Sequence, residues 1–120
     1  MVRDPYLAND FVTMVASPDP ENVFCYSPGI VRLGSGRLVA TMDYGGPGVG
    51  QWDAPRYNPY GDMWLSGRVF TSGDCGRTWI QRAEYPFMHA RPFAAGDSLY
   101  VLGHAGDLTI IRSDDEGETW

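Results

Sequence analysis

Ser72-Gly73-Asp74-Cys75-Gly76-Arg77-Thr78-Trp79 returns forty-one positions later as Ser113-Asp114-Asp115-Glu116-Gly117-Glu118-Thr119-Trp120. Ser, Asp, Gly, Thr and Trp keep the same offsets in both copies, and an apolar run precedes each one. A period near forty residues is that of a propeller or solenoid unit, one supersecondary element stacked on its neighbours. The octapeptide has the chemistry of a tight turn between antiparallel strands. Ser and Asp side chains bond back to nearby backbone groups, Gly supplies a positive φ, Thr resumes the strand, and Trp lays a large apolar face over the turn. The expected fold class is therefore all-β.

The pattern S-x-D-x-G-x-T-W resembles the Asp-box, or bacterial neuraminidase repeat, of sialidase-like β-propellers. The resemblance implies four-stranded antiparallel blades in a ring of six, with each box at the turn between strands three and four. It also implies that the boxes lie away from the active site. Ser72, Asp74, Gly76, Thr78 and Trp79 are then structural, as are Ser113, Asp115, Gly117, Thr119 and Trp120, and Asp74 and Asp115 are not a catalytic pair. A propeller needs four to eight blades to close. The expectation is thus an N-terminal part of one propeller domain spanning 1–120, with blade one at about 22–83 and a truncated blade two at about 87–120.

A chain that is 43% hydrophobic and 13% aromatic, with 15 Gly and 9 Pro, suits short strands and many turns. A net charge of −6 argues against a general nucleic-acid binder, which needs a basic stripe. No stretch reaches the length of a membrane-spanning helix. Residues 1–10 carry Arg3, Asp4 and Asp10 and lack the apolar core of a signal peptide, so the chain as written reads as cytoplasmic, or as secreted if the start lies upstream. Cys25 sits in an apolar-aromatic run as a buried thiol would, Cys75 fills a free box position, and the spacing leaves open whether they pair. No cofactor or metal is called for.

In chain order, Phe11-Val12-Thr13-Met14-Val15 reads as a strand ended by Ser17-Pro18-Asp19-Pro20. Residues 30–33 and 37–42 flank Gly34-Ser35-Gly36 as a hairpin. Residues 43–63 hold too many Gly and Pro for regular structure. Residues 65–71 form strand three, and 79–82 begin strand four. Blade two repeats this as 90–94, a turn at Gly96-Asp97, 98–103 and 108–112. Its hairpin-to-box distance is about twenty residues shorter than in blade one, so the extra length of blade one lies between strands two and three.

That insertion leaves the end of the blade opposite the boxes, where long loops on a rigid scaffold commonly carry function. His89 and His104, the two histidines of the chain, should face each other there across the second hairpin, with Arg91 nearby. They are candidates for general base, metal ligands, sugar hydrogen-bonding or strand-end capping. Asp43 closes strand two with Tyr26 and Tyr44 close by, and Trp52, Asp53 and Arg56 lie in the insertion. A carboxylate beside tyrosine and arginine suits glycosidic acid/base work, and aromatic faces stack on sugar rings. The duller alternative for Asp53 and Arg56 is a solvated ion pair.

The resemblance implies Asp53 as the nearest match to the family's acid/base aspartate. Where the family has Arg-x-Pro this chain reads Tyr26-Ser27-Pro28, and where it has Glu-x-Arg this chain reads Asp43-Tyr44-Gly45. The missing arginines point to a neutral sugar, or an acidic one other than sialic acid. Three functions follow. One is an exo-glycoside hydrolase of the sialidase (neuraminidase) type, with catalytic Asp43 or Asp53. The second is a propeller polysaccharide lyase in which His89 or His104 removes a proton beside a uronate carboxylate neutralised by Arg91. The third is a non-catalytic glycan- or protein-binding propeller. Carbohydrate is the expected partner, with Tyr26, Tyr44, Trp52, Arg56 and Arg91 as binding residues.

Overall fold

A computed structural model describes residues 10–120, so all but the last residue of the N-terminal stretch read above lies outside the described residues. The described chain is all-β, in two antiparallel sheets. The first is built from β1 (Phe24–Arg32), β2 (Leu38–Gly46), β3 (Tyr57–Tyr60), β4 (Met63–Ser72) and β5 (Ile80–Tyr85). The second contains β6 (Met88–Ala95), β7 (Ser98–Ala105) and β8 (Asp107–Ser113).

Strand β4 is the axis of the first sheet. One edge pairs with β2 from Leu38↔Ser72 to Gly46↔Trp64. The other edge is divided, with β3 covering its start and β5 its later part. The second sheet is a plain meander, β6-β7-β8. The turns fall at 34–36, 73–78 and 96–97, where the sequence places them.

Two readings need correction. Residues 11–15 form no strand; Met14 and Val15 are half-buried, and residues 12–15 instead line an apolar groove with Pro28, Ile30 and Met42. The 43–63 stretch is also more regular than its Gly and Pro content suggests. Strand β2 runs on to Gly46, a 3-10 turn spans Pro47–Gln51, and β3 pairs with β4. Gly46, at φ 123, packs so close to the Asn22 carbonyl that a Cβ would meet it at 2.4 Å, which explains why glycine and not a side chain occurs at this bend.

Both octapeptides close the same set of hydrogen bonds. The Ser72 hydroxyl donates to Asp74 Oδ1 at 2.8 Å and accepts the Gly76 N–H at 2.9 Å. Asp74 also accepts the Thr78 N–H at 2.9 Å and the Thr78 hydroxyl at 2.6 Å, and Trp79 Nε1 donates to the Gly76 carbonyl at 2.9 Å. Ser113, Asp115, Gly117, Thr119 and Trp120 repeat every one of these bonds. The residue before each glycine is left-handed as well, Cys75 at φ 62 and Glu116 at φ 57. The Trp side chains are half-buried over their turns rather than sunk in the core.

The sheets pack face to face. Val39 and Val69 of the first meet Ala90, Leu99 and Val101 of the second, with Tyr85 and Phe87 stacked between them at 4.4 Å. The contact requires Gly67, because a Cβ there would lie 1.7 Å from the Tyr85 ring. At the octapeptide end, Glu118 is gripped by Arg82 Nη1 at 2.6 Å and by Arg37. Arg37 also donates to the Glu116 carbonyl at 3.0 Å.

Gly67→Ala is therefore expected to destabilise the fold by about 3 kcal/mol, since the Tyr85 ring has to leave its seat. Trp79→Ala should cost less, about 2 kcal/mol, because the ring is half-buried. Chemical denaturation measures both; a Gly67→Ala protein as stable as the parent would show that the ring is not fixed against this strand.

Candidate functional site

The two hairpins β1–β2 and β6–β7 carry the same irregularity at the end away from the octapeptides. The register slips between Tyr26 and Gly29 in β1 and between Met88 and Arg91 in β6. Each bulge holds one left-handed residue, Ser27 at φ 51 and His89 at φ 54. Just before the slip, Tyr26 pairs with Asp43 and Met88 with His104. Asp43 and His104 thus occupy one register position, and Ser27 and His89 are the first bulge residues after its partner.

The bulge corrects the pairing expected of the histidines. Met88, not His89, lies opposite His104 in the ladder. Their rings nevertheless meet, because the extra residue swings His89 back, and its Nδ1 lies 2.9 Å from His104 Nε2. His89 is exposed and His104 half-exposed.

Beneath them Asp43 is completely buried, with no solvent-accessible surface. It accepts the His89 backbone N–H at 2.7 Å and the Tyr85 hydroxyl at 3.3 Å. Burial pushes its carboxyl up to about 6, against the opposing pull of those two donors and of the nearby His89 and Arg91 charges. The Tyr85 hydroxyl is pushed well above its ordinary range, by burial first and then by Asp43, so it serves as a donor and not as a phenolate. The Arg91 side chain is exposed, and its Nη1 is shared between the Ser27 and Ala90 carbonyls at 3.1 and 3.0 Å. Thr41 donates to the Ala90 carbonyl at 3.1 Å. Asp43, His89, His104 and Arg91 thus gather at the junction of the sheets, as the sequence suggests. Asp43, however, is an internal brace that a solute cannot touch in this arrangement.

Tyr44, Trp52 and Arg56 belong to a separate group on the opposite face of the first sheet. Strand alternation sends Tyr44 to the side away from Asp43, where its ring meets Trp52 edge-on at 5.0 Å. Both rings cover Arg68, whose guanidinium carbon lies 5.6 and 5.3 Å from their centroids. Arg68 is 5% exposed, donates to Ser66 Oγ at 2.7 Å and pairs with Glu84 at 3.4 Å. Burial pulls its pKa down and raises that of Tyr44. Sequence reasoning gave Arg68 no role; the one signal was a charged residue inside the apolar run 65–70.

Arg56 does not pair with Asp53. Its guanidinium donates to the Trp52 and Ala54 carbonyls and lies 5.1 Å from the Trp64 ring centroid. The loop is thereby braced on both sides of Asp53, which is exposed and has no hydrogen-bond partner among the described residues. Tyr26 rests its ring over Gly45, edge-on to Phe24. Cys25, expected to be buried, is exposed, as is Cys75, and both are free thiols. Among the described residues no group of three or more His, Cys, Asp or Glu side chains is disposed to hold a metal ion. No protein-family model, curated protein or solved structure matches the chain.

The carboxylates give stability an opposed pH dependence. Folded Asp43 holds its proton more tightly than the unfolded chain does, so its contribution is greatest below about pH 4 and is lost as the pH rises through about 6. Asp74 and Asp115 behave in the opposite way. The hydroxyl and N–H of Thr78 and Thr119 hold them down to about 2, so their contribution is complete above about pH 4 and is lost as the pH falls towards 2. The Asp43→Asn variant keeps the shape without the charge: its Oδ1 can still accept the His89 N–H, while its Nδ2–H would donate to the Tyr85 oxygen in place of the bond Asp43 accepts from it. Between pH 4 and pH 8 its unfolding free energy, relative to the parent protein, should improve by about 3 kcal/mol. A difference independent of pH in denaturation curves would show that Asp43 is not a strained carboxylate.

Proposed function

We propose that the chain is part of a sialidase-like Asp-box β-propeller, with blades at about 22–83 and 87–120, and that it is an exo-glycoside hydrolase acting on glycan termini. The fold reading is supported by more than the repeated turn. Counting back from the bulge, Val39, Thr41 and Asp43 of the first sheet correspond to Tyr100, Leu102 and His104 of the second. In the first sheet that face is covered by its neighbour. In the second the same face is open, with Leu102 38%, Ile110 52% and Leu108 80% exposed. One stacking operation thus generates the second sheet from the first and leaves a surface ready for a third.

The observation that carries the enzymatic reading is the braced presentation of Asp53. Arg56 fixes the carbonyls on either side of it and leaves the carboxylate in solvent beside Trp52. A general acid/base needs this combination of fixed backbone and open access to the glycosidic oxygen. Asp53→Asn in the full chain should lower turnover of susceptible glycosides at least a hundredfold with little change in stability. Undiminished turnover would remove Asp53 from the chemistry.

The exposure of the His89–His104 pair, against the burial of Asp43, favours a second reading. An imidazole there could take the proton beside a uronate carboxylate and so eliminate the sugar at its neighbour. His89→Asn or His104→Asn would then abolish activity while Asp53→Asn kept it, and the product would carry an unsaturated uronate absorbing in the near ultraviolet.

A further inference from the structure

The bulge that brings His89 against His104 is part of the scaffold, since β1 has the same bulge around Ser27. What distinguishes the second sheet is the chemistry at the two corresponding positions, an imidazole on each, where the first sheet has a hydroxyl and a carboxylate. We propose that His89 and His104 form a two-point chelate for a transition-metal ion, of which Cu(II) fits best.

The argument is geometric. His89 Nδ1 and His104 Nε2 lie 2.9 Å apart. Two imidazole nitrogens bound at about 2.0–2.1 Å and at right angles to each other on one metal are separated by about 2.9 Å. A tetrahedral ion would need them about 3.3 Å apart at the same bond length. The 2.9 Å separation is that of the hydrogen bond in the metal-free pair and lies within about 0.4 Å of either geometry; the preference for Cu(II) follows from the order of affinities, in which Cu(II) stands above Ni(II) and Zn(II) at imidazole ligands. The rings face each other nitrogen to nitrogen, tilted by 40° with centroids 5.0 Å apart, so chelation calls for them to turn until both facing lone pairs converge on one point.

In the metal-free pair one facing nitrogen carries a hydrogen and the other accepts it. When the ion binds, that hydrogen moves to the remote nitrogen of its own ring, and both facing lone pairs go to the metal. The backbone of His89 stays anchored, because its N–H is bonded to Asp43, whose buried carboxylate also lies close to the incoming cation. The ring of His89 is open to solvent, leaving the remaining coordination positions to water or to an added ligand. The Arg91 guanidinium is directed to the Ser27 and Ala90 carbonyls.

The test is Cu(II) titration of the full chain with Cys25→Ser and Cys75→Ser in place, because exposed thiols would reduce the ion. Calorimetry should show one Cu(II) per chain, and the electron paramagnetic resonance spectrum should show hyperfine splitting from two equivalent-type nitrogens. His89→Asn retains a residue that tolerates the left-handed backbone. That variant, and His104→Asn separately, should weaken binding at least tenfold and reduce the nitrogen splitting to one. Near-ultraviolet circular dichroism identifies any variant that has lost its fold, in which case the other decides. The proposal is overturned if the parent takes up no Cu(II), if the folded variants bind as tightly as the parent, or if the spectrum shows fewer than two imidazole nitrogens.

Discussion

The Tyr85 ring lies over the bare backbone of Gly67, its cross-strand partner in the first sheet, and from there stacks on Phe87 in the layer between the two sheets. With any side chain at 67 the ring would stand off, and the layer containing Phe87, Val39, Val69 and Val101 would open. The same ring carries the hydroxyl that reaches Asp43, so closure of the core and organisation of the candidate site are one event. Asp43 then fixes the start of β6 through the His89 N–H, and that bond in turn decides where the imidazole stands. A hydrophobic contact thus propagates into the placement of a polar group several residues away.

Much of this architecture was written in local sequence. The octapeptides carry their own hydrogen-bond partners, so Ser72 to Trp79 and Ser113 to Trp120 could be read as turns without knowing what surrounds them. The hairpins at 34–36 and 96–97 were equally legible, because apolar runs flank Gly34-Ser35-Gly36 and Gly96-Asp97 on both sides. Residues 11–15 misled: their β-branched and aromatic content suits a strand, but a strand needs a neighbour with free backbone groups, and none pairs with them among the described residues. The insertion misled in the other direction, since the pairing of β3 depends on an edge of β4 that β5 leaves uncovered.

The site was half legible. Antiparallel counting brought the histidines together, but the bulges that set their geometry leave no mark a single sequence can show. Ser27 carries no signal for positive φ, and the enrichment of histidine there is too weak to place a bulge at His89. Asp43 was read as the end of strand two, where β2 runs on to Gly46, and nothing in the sequence revealed that it is sealed from solvent, because its depth depends on Tyr85 folding over Gly67. Arg68 was missed because a cation in an apolar run reads as an interruption until Tyr44, Trp52 and Glu84 are seen to surround it. The proposed carbohydrate chemistry accordingly rests on Asp53, whose environment is local, more than on Asp43, whose environment is assembled from both sheets.

The seam between the sheets is fastened differently at its two ends. At the octapeptide end Glu118 sits between Arg37 and Arg82, with its side chain 42% exposed and theirs 21%. At the far end the fastening is a buried carboxylate taking an amide N–H and a phenol. Mobile ions weaken the first kind of contact over a few ångströms and leave the second almost untouched. Ionic strength therefore acts on the octapeptide rim of the seam and spares the rim that Asp43 holds, with the shared core between them.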